Sequence, residues 1–244
     1  MSKRDPVTIA QLAVILATAF ALKYFYSTAS VNDLSWILAP TTFLVEVITG
    51  LQFRFESHAG YLSEDRTFLI AQPCSGVNFL IIAFLMLAIS NIWRESPRAV
   101  RWRSILVAGG VAYVATLVAN TTRIVVALKT RGLDFGYDYE DVHRIEGIIV
   151  YFGFLLLLFL ASEKYTGIDR HGPRVSCVRQ VSLPLLIYYG VTLGIPLAGG
   201  AFRDTAFWKH ALAVFVTSTI LMLPFLIVYV AKAVESSKEE VPWR

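Results

Sequence analysis

Apolar runs of about 20 residues, repeated along one chain, leave few folds open. A bilayer core of about 30 Å needs about 20 apolar residues in helical form to cross it. Once inside, every backbone N–H and C=O must be bonded within the segment itself, which selects helices or closed barrels. This chain of 244 residues shows such runs at Val7–Leu22, Gly76–Trp93, Ile105–Leu128, Ile145–Ala161, Val181–Ala201 and Ala211–Ala231. The runs are continuous and lack the alternation of barrel strands, so they read as helices. Only 16% of the residues are charged, against about 25% in an average soluble domain. The expectation is an all-α polytopic membrane protein with about six spans. No polar stretch is long enough to enclose a second core, so residues 1–232 read as one membrane domain followed by a polar tail, 233–244. The first run follows Lys3 and Arg4 as a signal peptide would, but Lys23-Tyr24-Phe25-Tyr26 after it looks like an interfacial anchor, and it is kept as a span.

The stretch between the first two spans has its own character. Residues 34–53 mix Ile37, Leu38, Phe43, Leu44, Val47 and Ile48 with Pro40, Thr41, Thr42, Glu46 and Thr49. That polar stripe suits a helix at the interface or across the top of the bundle, with Gly50 able to end it. Residues 53–73 alternate Phe53, Phe55, Tyr61, Phe68 and Ile70 with polar residues around His58-Ala59-Gly60, and read as a short β-hairpin outside the membrane.

The sequence pI is about 9.1, but this basicity does not indicate a nucleic-acid partner. Arg94, Arg98, Arg101 and Arg103 fall in one loop between spans, and Lys164, Arg170, Arg174 and Arg179 in another. Lys and Arg concentrate in cytoplasmic loops. Both termini are therefore expected in the cytoplasm of a plasma membrane, a bacterial inner membrane on this pattern. Residues 23–75, 129–144 and 202–210 then face outwards. Cys74 and Cys177 fall on opposite sides, so no disulfide joins them. His58, His143, His171 and His210 have no metal-ligand spacing, and no metal or cofactor is expected.

On the outer side three reactive side chains coincide. Cys74 is expected in the first turn of the second span, where free N–H groups and the helix dipole favour a thiolate. Arg123 lies within the third span. An arginine at a helix centre costs about 2.5–3.5 kcal/mol on insertion scales and calls for a polar cavity. Asn120, three residues earlier, shares its face. His143 opens the fourth span and has an unperturbed pKa near neutrality. A cysteine nucleophile needs an acid–base partner and stabilisation of an oxyanion. Histidine and arginine supply these, with backbone amides of Ser75 and Gly76 as further donors. Glu146, one turn from His143, either orients its ring or pairs with Arg144. A binding protein or transporter that grips an anion at Arg123 would use the same arginine without the cysteine.

Three segments carry a resemblance to the exosortase/archaeosortase family of membrane transpeptidases: Pro73-Cys74-Ser75-Gly76-Val77-Asn78, Ala119-Asn120-Thr121-Thr122-Arg123-Ile124 and His143-Arg144-Ile145-Glu146-Gly147. They occur in the family's order on similar spans, and the likeness covers roughly residues 34–162. Pro73 replaces the alanine common in better-known branches and the chain is short, so it looks like a compact branch such as the K-type exosortases. The resemblance implies that Cys74 is the nucleophile, Arg123 the stabilising arginine and His143 the acid–base, with Ser75, Gly76, Asn78, Asn120 and Glu146 supporting substrate or oxyanion. It implies secreted protein substrates bearing a C-terminal sorting signal, made of a motif, a membrane helix and a basic end. Cleavage would run through a thioester, with transfer to an acceptor or, alternatively, hydrolysis alone.

Overall fold

The computed structural model describes residues 6–94, 102–133, 136, 138–166 and 182–239. The helices are α1 (Pro6–Thr28), α2 (Ser35–Thr49), α3 (Val77–Arg94), α4 (Trp102–Thr130) and α5 (Tyr139–Thr166). They are followed by α6 (Ser182–Ala198) and α7 (Thr205–Glu239). Among the described residues five helices are long and apolar enough to cross a membrane: α1, α3, α4, α5 and α7. The expected span at Val181–Ala201 is the shorter helix α6, which contains a π turn at Gly190–Gly194. Pro196 has no N–H to bond the carbonyl four residues back, and the helix opens by one residue just ahead of it. The loop residues 95–101 and 167–181, with Cys177, and the end of the tail lie outside the described residues.

Contacts divide the chain into two compact units, residues 1–154 and 155–244. In the first, α3 is the central helix. Buried residues fill 83% of its apolar window, against 17% for α1. α1 and α4 pack on it. The face of α4 that turns inwards is made mostly of small residues, Ala108, Ala112, Thr116, Ala119, Asn120, Thr121 and Ala127, with Ile124 as the one large side chain. Small side chains let two helices approach closely where apolar burial gives no preference over lipid. The large residues of α4, such as Leu106, Val107, Val111 and Val118, are exposed, which suits a lipid-facing surface. α2 packs on α4 too. Trp36 stacks on Tyr113 at 5.8 Å, and the Tyr113 hydroxyl donates to the Trp36 carbonyl at 2.8 Å. Gly50 ends α2 with a φ of +74°, its N–H bonded to the Glu46 carbonyl at 2.8 Å.

The expected hairpin is present and gains a third strand. β1 (Phe53–Glu56), β2 (Gly60–Ser63) and β3 (Leu69–Ile70) form an antiparallel sheet in the order β1-β2-β3. Leu69–Ile70 alone is too short to read as a strand; its turn supplies the order. The buried Ser63 hydroxyl donates to Asp65 Oδ1 at 2.5 Å and accepts from the N–H of Thr67 at 3.2 Å and of Phe68 at 2.9 Å. Hydrogen bonds from Ser63 and Thr67 hold the Asp65 carboxyl below the usual carboxylate range. In the second unit, the Tyr189 ring of α6 stacks on Phe215 of α7 at 6.0 Å, and its hydroxyl shares a hydrogen bond with Ser218 at 2.7 Å.

Ser63→Ala removes the acceptor of two backbone N–H groups. It should destabilise the β2–β3 turn by about 1–3 kcal/mol. The exposed bond after Arg66 should then be cut by trypsin about tenfold faster or more, read by mass spectrometry of the folded protein; an unchanged rate would mean that the hydroxyl does not hold this turn.

Candidate active site

Cys74 stands in a short 3-10 turn, Gln72–Cys74, that joins β3 to α3. It therefore lies ahead of the helix, not in its first turn as the apolar pattern suggests. Two features explain the displacement. Pro73 starts the turn, and Gly76 takes a φ of +73° before α3 begins at Val77. The Cys74 N–H donates to the Ala71 carbonyl at 2.8 Å and the Ser75 N–H to the Gln72 carbonyl at 3.0 Å. The Ser75 amide is thus already used and is not a free oxyanion donor. No described backbone hydrogen bond takes up the Gly76 N–H.

Gly76 also answers a steric demand. A Cβ there would lie 3.0 Å from Asn120 Cγ and 3.2 Å from Thr116 Cγ2. The turn is pressed against α4 at the level of the buried Asn120. The Asn120 amide donates from Nδ2 to the Cys74 carbonyl at 2.6 Å. Its Oδ1 accepts from the Tyr151 hydroxyl at 2.8 Å. Tyr151 stacks on Phe79 of α3 at 5.1 Å, and the Arg123 guanidinium lies 5.4 Å from the centre of its ring.

Arg123 and His143 are in direct contact, Nη2 to Nε2 at 3.0 Å. A guanidinium can only donate. Nε2 therefore accepts, and a neutral imidazole in this arrangement carries its proton on Nδ1. Glu146 Oε2 is 3.9 Å from that nitrogen, an electrostatic neighbour and not a hydrogen-bond partner. Arg144 pairs instead with Asp141 at 2.9 Å, so Glu146 is left to the histidine side. Gly147 makes room for the arginine, since a Cβ there would lie 3.1 Å from Arg123 Nε.

Of the residues expected from the sequence, Arg123 and His143 touch each other, while the backbone carbonyl of Cys74 is linked to Arg123 through Asn120 and Tyr151. Asn78 is exposed, and its Oδ1 accepts from Lys23 Nζ at 2.7 Å, tying α1 to the head of α3. Gln72 adds a second tie, donating from Nε2 to the Tyr26 carbonyl at 3.1 Å. Tyr151 was not among the expected residues. It follows His143 and Gly147 at intervals of four, on one helix face, and that spacing was the available signal. Tyr26, Lys23 and Gln72 carried no such signal.

Tyr151→Phe keeps the ring and removes only the hydroxyl, leaving buried Asn120 Oδ1 without that donor. The expected loss is about 1–3 kcal/mol, seen as a lowered unfolding temperature in detergent. Gly76→Ala, strained by its φ and its contact, should cost about as much. Unchanged unfolding temperatures in both variants would contradict the described packing of the turn on α4.

A family model described as transmembrane exosortase matches residues 5–161. No curated protein and no solved structure matches the chain.

Proposed function

The chain belongs to the transmembrane exosortase family, and from that premise we propose that it cleaves the C-terminal sorting signal of secreted proteins through a thioester on Cys74. Members of the family are membrane-embedded protein-sorting transpeptidases acting on such signals, and this chain is a multi-pass membrane protein. The observation that carries the finer reading is the Arg123–His143 contact, set beside the Asn120–Tyr151 link to the cysteine turn.

In the proposed reaction the Cys74 sulfur attacks the scissile carbonyl and its proton passes to His143. The S–C bond forms, and the carbonyl oxygen takes the negative charge. Arg123 is a fixed, planar cation suited to that oxygen. At rest its Nη2 occupies His143 Nε2. The developing oxyanion draws the guanidinium towards itself, and the same movement frees Nε2 to receive the thiol proton. His143 then protonates the leaving amine as the C–N bond breaks, and the C-terminal membrane helix departs. An acceptor amine, or water, loses a proton to His143 and attacks the thioester, which restores the thiol. Which of the two attacks decides between transfer and hydrolysis. The basic loops argue for cytoplasmic termini and an extracytoplasmic site, where secreted substrates arrive. An anion carrier built on Arg123 would leave the adjoining cysteine turn without a role.

The test is processing of the cell's own proteins that end in a membrane helix and basic residues. Cys74→Ala should stop their maturation, a fall of at least about 10³-fold, while the variant still inserts. Arg123→Lys should slow it by about 10²-fold or more, because lysine lacks the fork. Maturation at the normal rate in Cys74→Ala, measured by mass spectrometry of the substrates' C-termini, would reject the assignment.

A further inference from the structure

The strand that leads into the cysteine turn is an edge strand, and its free edge points along the path to Cys74. Among the described residues β3 is bonded on one side only, to β2. Tyr61 faces Ile70 and Leu62 faces Leu69 in the register, and the Ser63 N–H donates to the Phe68 carbonyl at 2.9 Å. In an antiparallel pair the residues alternate between bonding the neighbour and pointing away from it. Phe68 and Ile70 therefore bond to β2, whereas Thr67 and Leu69 turn their backbone groups outwards and Ala71 its N–H alone, the Ala71 carbonyl being taken by the Cys74 N–H at 2.8 Å. The Thr67 carbonyl bears this out, since it accepts from Nη1 of Arg131, a side chain outside the sheet. Leu69, the next outward position, is 40% exposed. Ala71 continues the extended backbone with φ −108° and ψ −175°, immediately before the Gln72–Cys74 turn. An open strand edge is a template for a further strand.

We propose that the substrate's recognition segment binds as an added strand on the outer edge of β3, pairing with the N–H and carbonyl of Leu69 and the N–H of Ala71. The proposal rests on the peptidase reading above and names how that site holds its substrate. The direction follows from topology. β3, the cysteine turn and α3 run in that order from the sheet into an apolar span, Gln72–Ile92. A substrate whose C-terminal helix lies in the same membrane runs the same way, from its soluble part into the bilayer. The added strand is therefore parallel to β3. The residues just before the scissile bond lie along Leu69–Ala71, and the bond itself comes level with Cys74. Main-chain pairing of this kind supplies affinity with little regard to side chains, so the specificity for a motif comes from side chains on alternate positions.

The test uses the full-length protein in its own membranes. Leu69→Ala keeps the outward N–H, and Leu69→Pro removes it at an edge position where proline is tolerated. Iodoacetamide labelling of Cys74 reports whether the turn is intact. Processing of proteins with C-terminal signals should be about tenfold or more lower in Leu69→Pro than in Leu69→Ala, with labelling equal in both. Equal processing in the two variants overturns the strand pairing. If Leu69→Pro changes the labelling, a photo-crosslinking benzoylphenylalanine at position 69 or position 55, in the Cys74→Ala background, decides. Capture at 69 of proteins bearing the signal, mapped to the few residues before their membrane helix, supports the proposal. No capture at 69, or equal capture at 55 on the far strand, overturns it. Normal processing by Cys74→Ala itself would instead remove the peptidase reading on which the proposal stands.

Discussion

One carboxamide holds the site together. Asn120, buried on α4, donates to the Cys74 carbonyl and accepts from the Tyr151 hydroxyl. It thereby fixes the turn before α3 to α4, and α4 to α5. Inside a membrane protein an unpaired amide costs more than in water, so a buried asparagine bonded at both ends strongly favours one arrangement. Tyr151 extends the same node. Its ring lies between Phe79 and the Arg123 guanidinium, so the cation that sits against His143 is also held against an aromatic face.

Close helix approach makes this node possible. The alanines of α4 bring its backbone near α3, and Gly76 and Gly147 omit side chains where Asn120 and Arg123 need the space. The large apolar residues are left outside, on α1 and α4, where lipid is an equivalent neighbour. The result is a connected polar node, Asn120, Tyr151, Arg123 and His143, between α4 and α5. α1 braces the cysteine turn and the head of α3 through Lys23 on Asn78 and the Tyr26 carbonyl on Gln72.

Much of this was legible from residue order. Span length and charge gave the helices, because the bilayer imposes both. A cysteine at a polar–apolar boundary, an arginine inside a span and a histidine opening the next one single out three segments, and the structure brings Arg123 and His143 into contact. The local geometry was less legible. Cys74 read as the start of a helix because periodicity cannot see a turn set by Pro73 and a left-handed Gly76. β3 was hidden because two residues carry no alternation, and Ser63 fixes it through backbone N–H groups. The π turn in α6 depends on a missing N–H at Pro196, whose consequence appears several residues upstream. Tyr151 is marked in the sequence only by its spacing from His143 and Gly147, because an aromatic residue in a span is ordinarily lipid or core contact; in the structure its hydroxyl on Asn120 distinguishes it.

The central claim is that the Cys74 sulfur carries the substrate as a thioester, and it is tested most directly by looking for that bond. The full-length protein would be quenched in acid during turnover in native membranes, digested, and the Cys74 peptide analysed by mass spectrometry. The account predicts a fraction of this peptide bearing a second peptide through its C-terminal carbonyl, released by hydroxylamine and absent from His143 and Arg123 variants that do not process. A Cys74 peptide found only as the free thiol while substrates are being matured would contradict it.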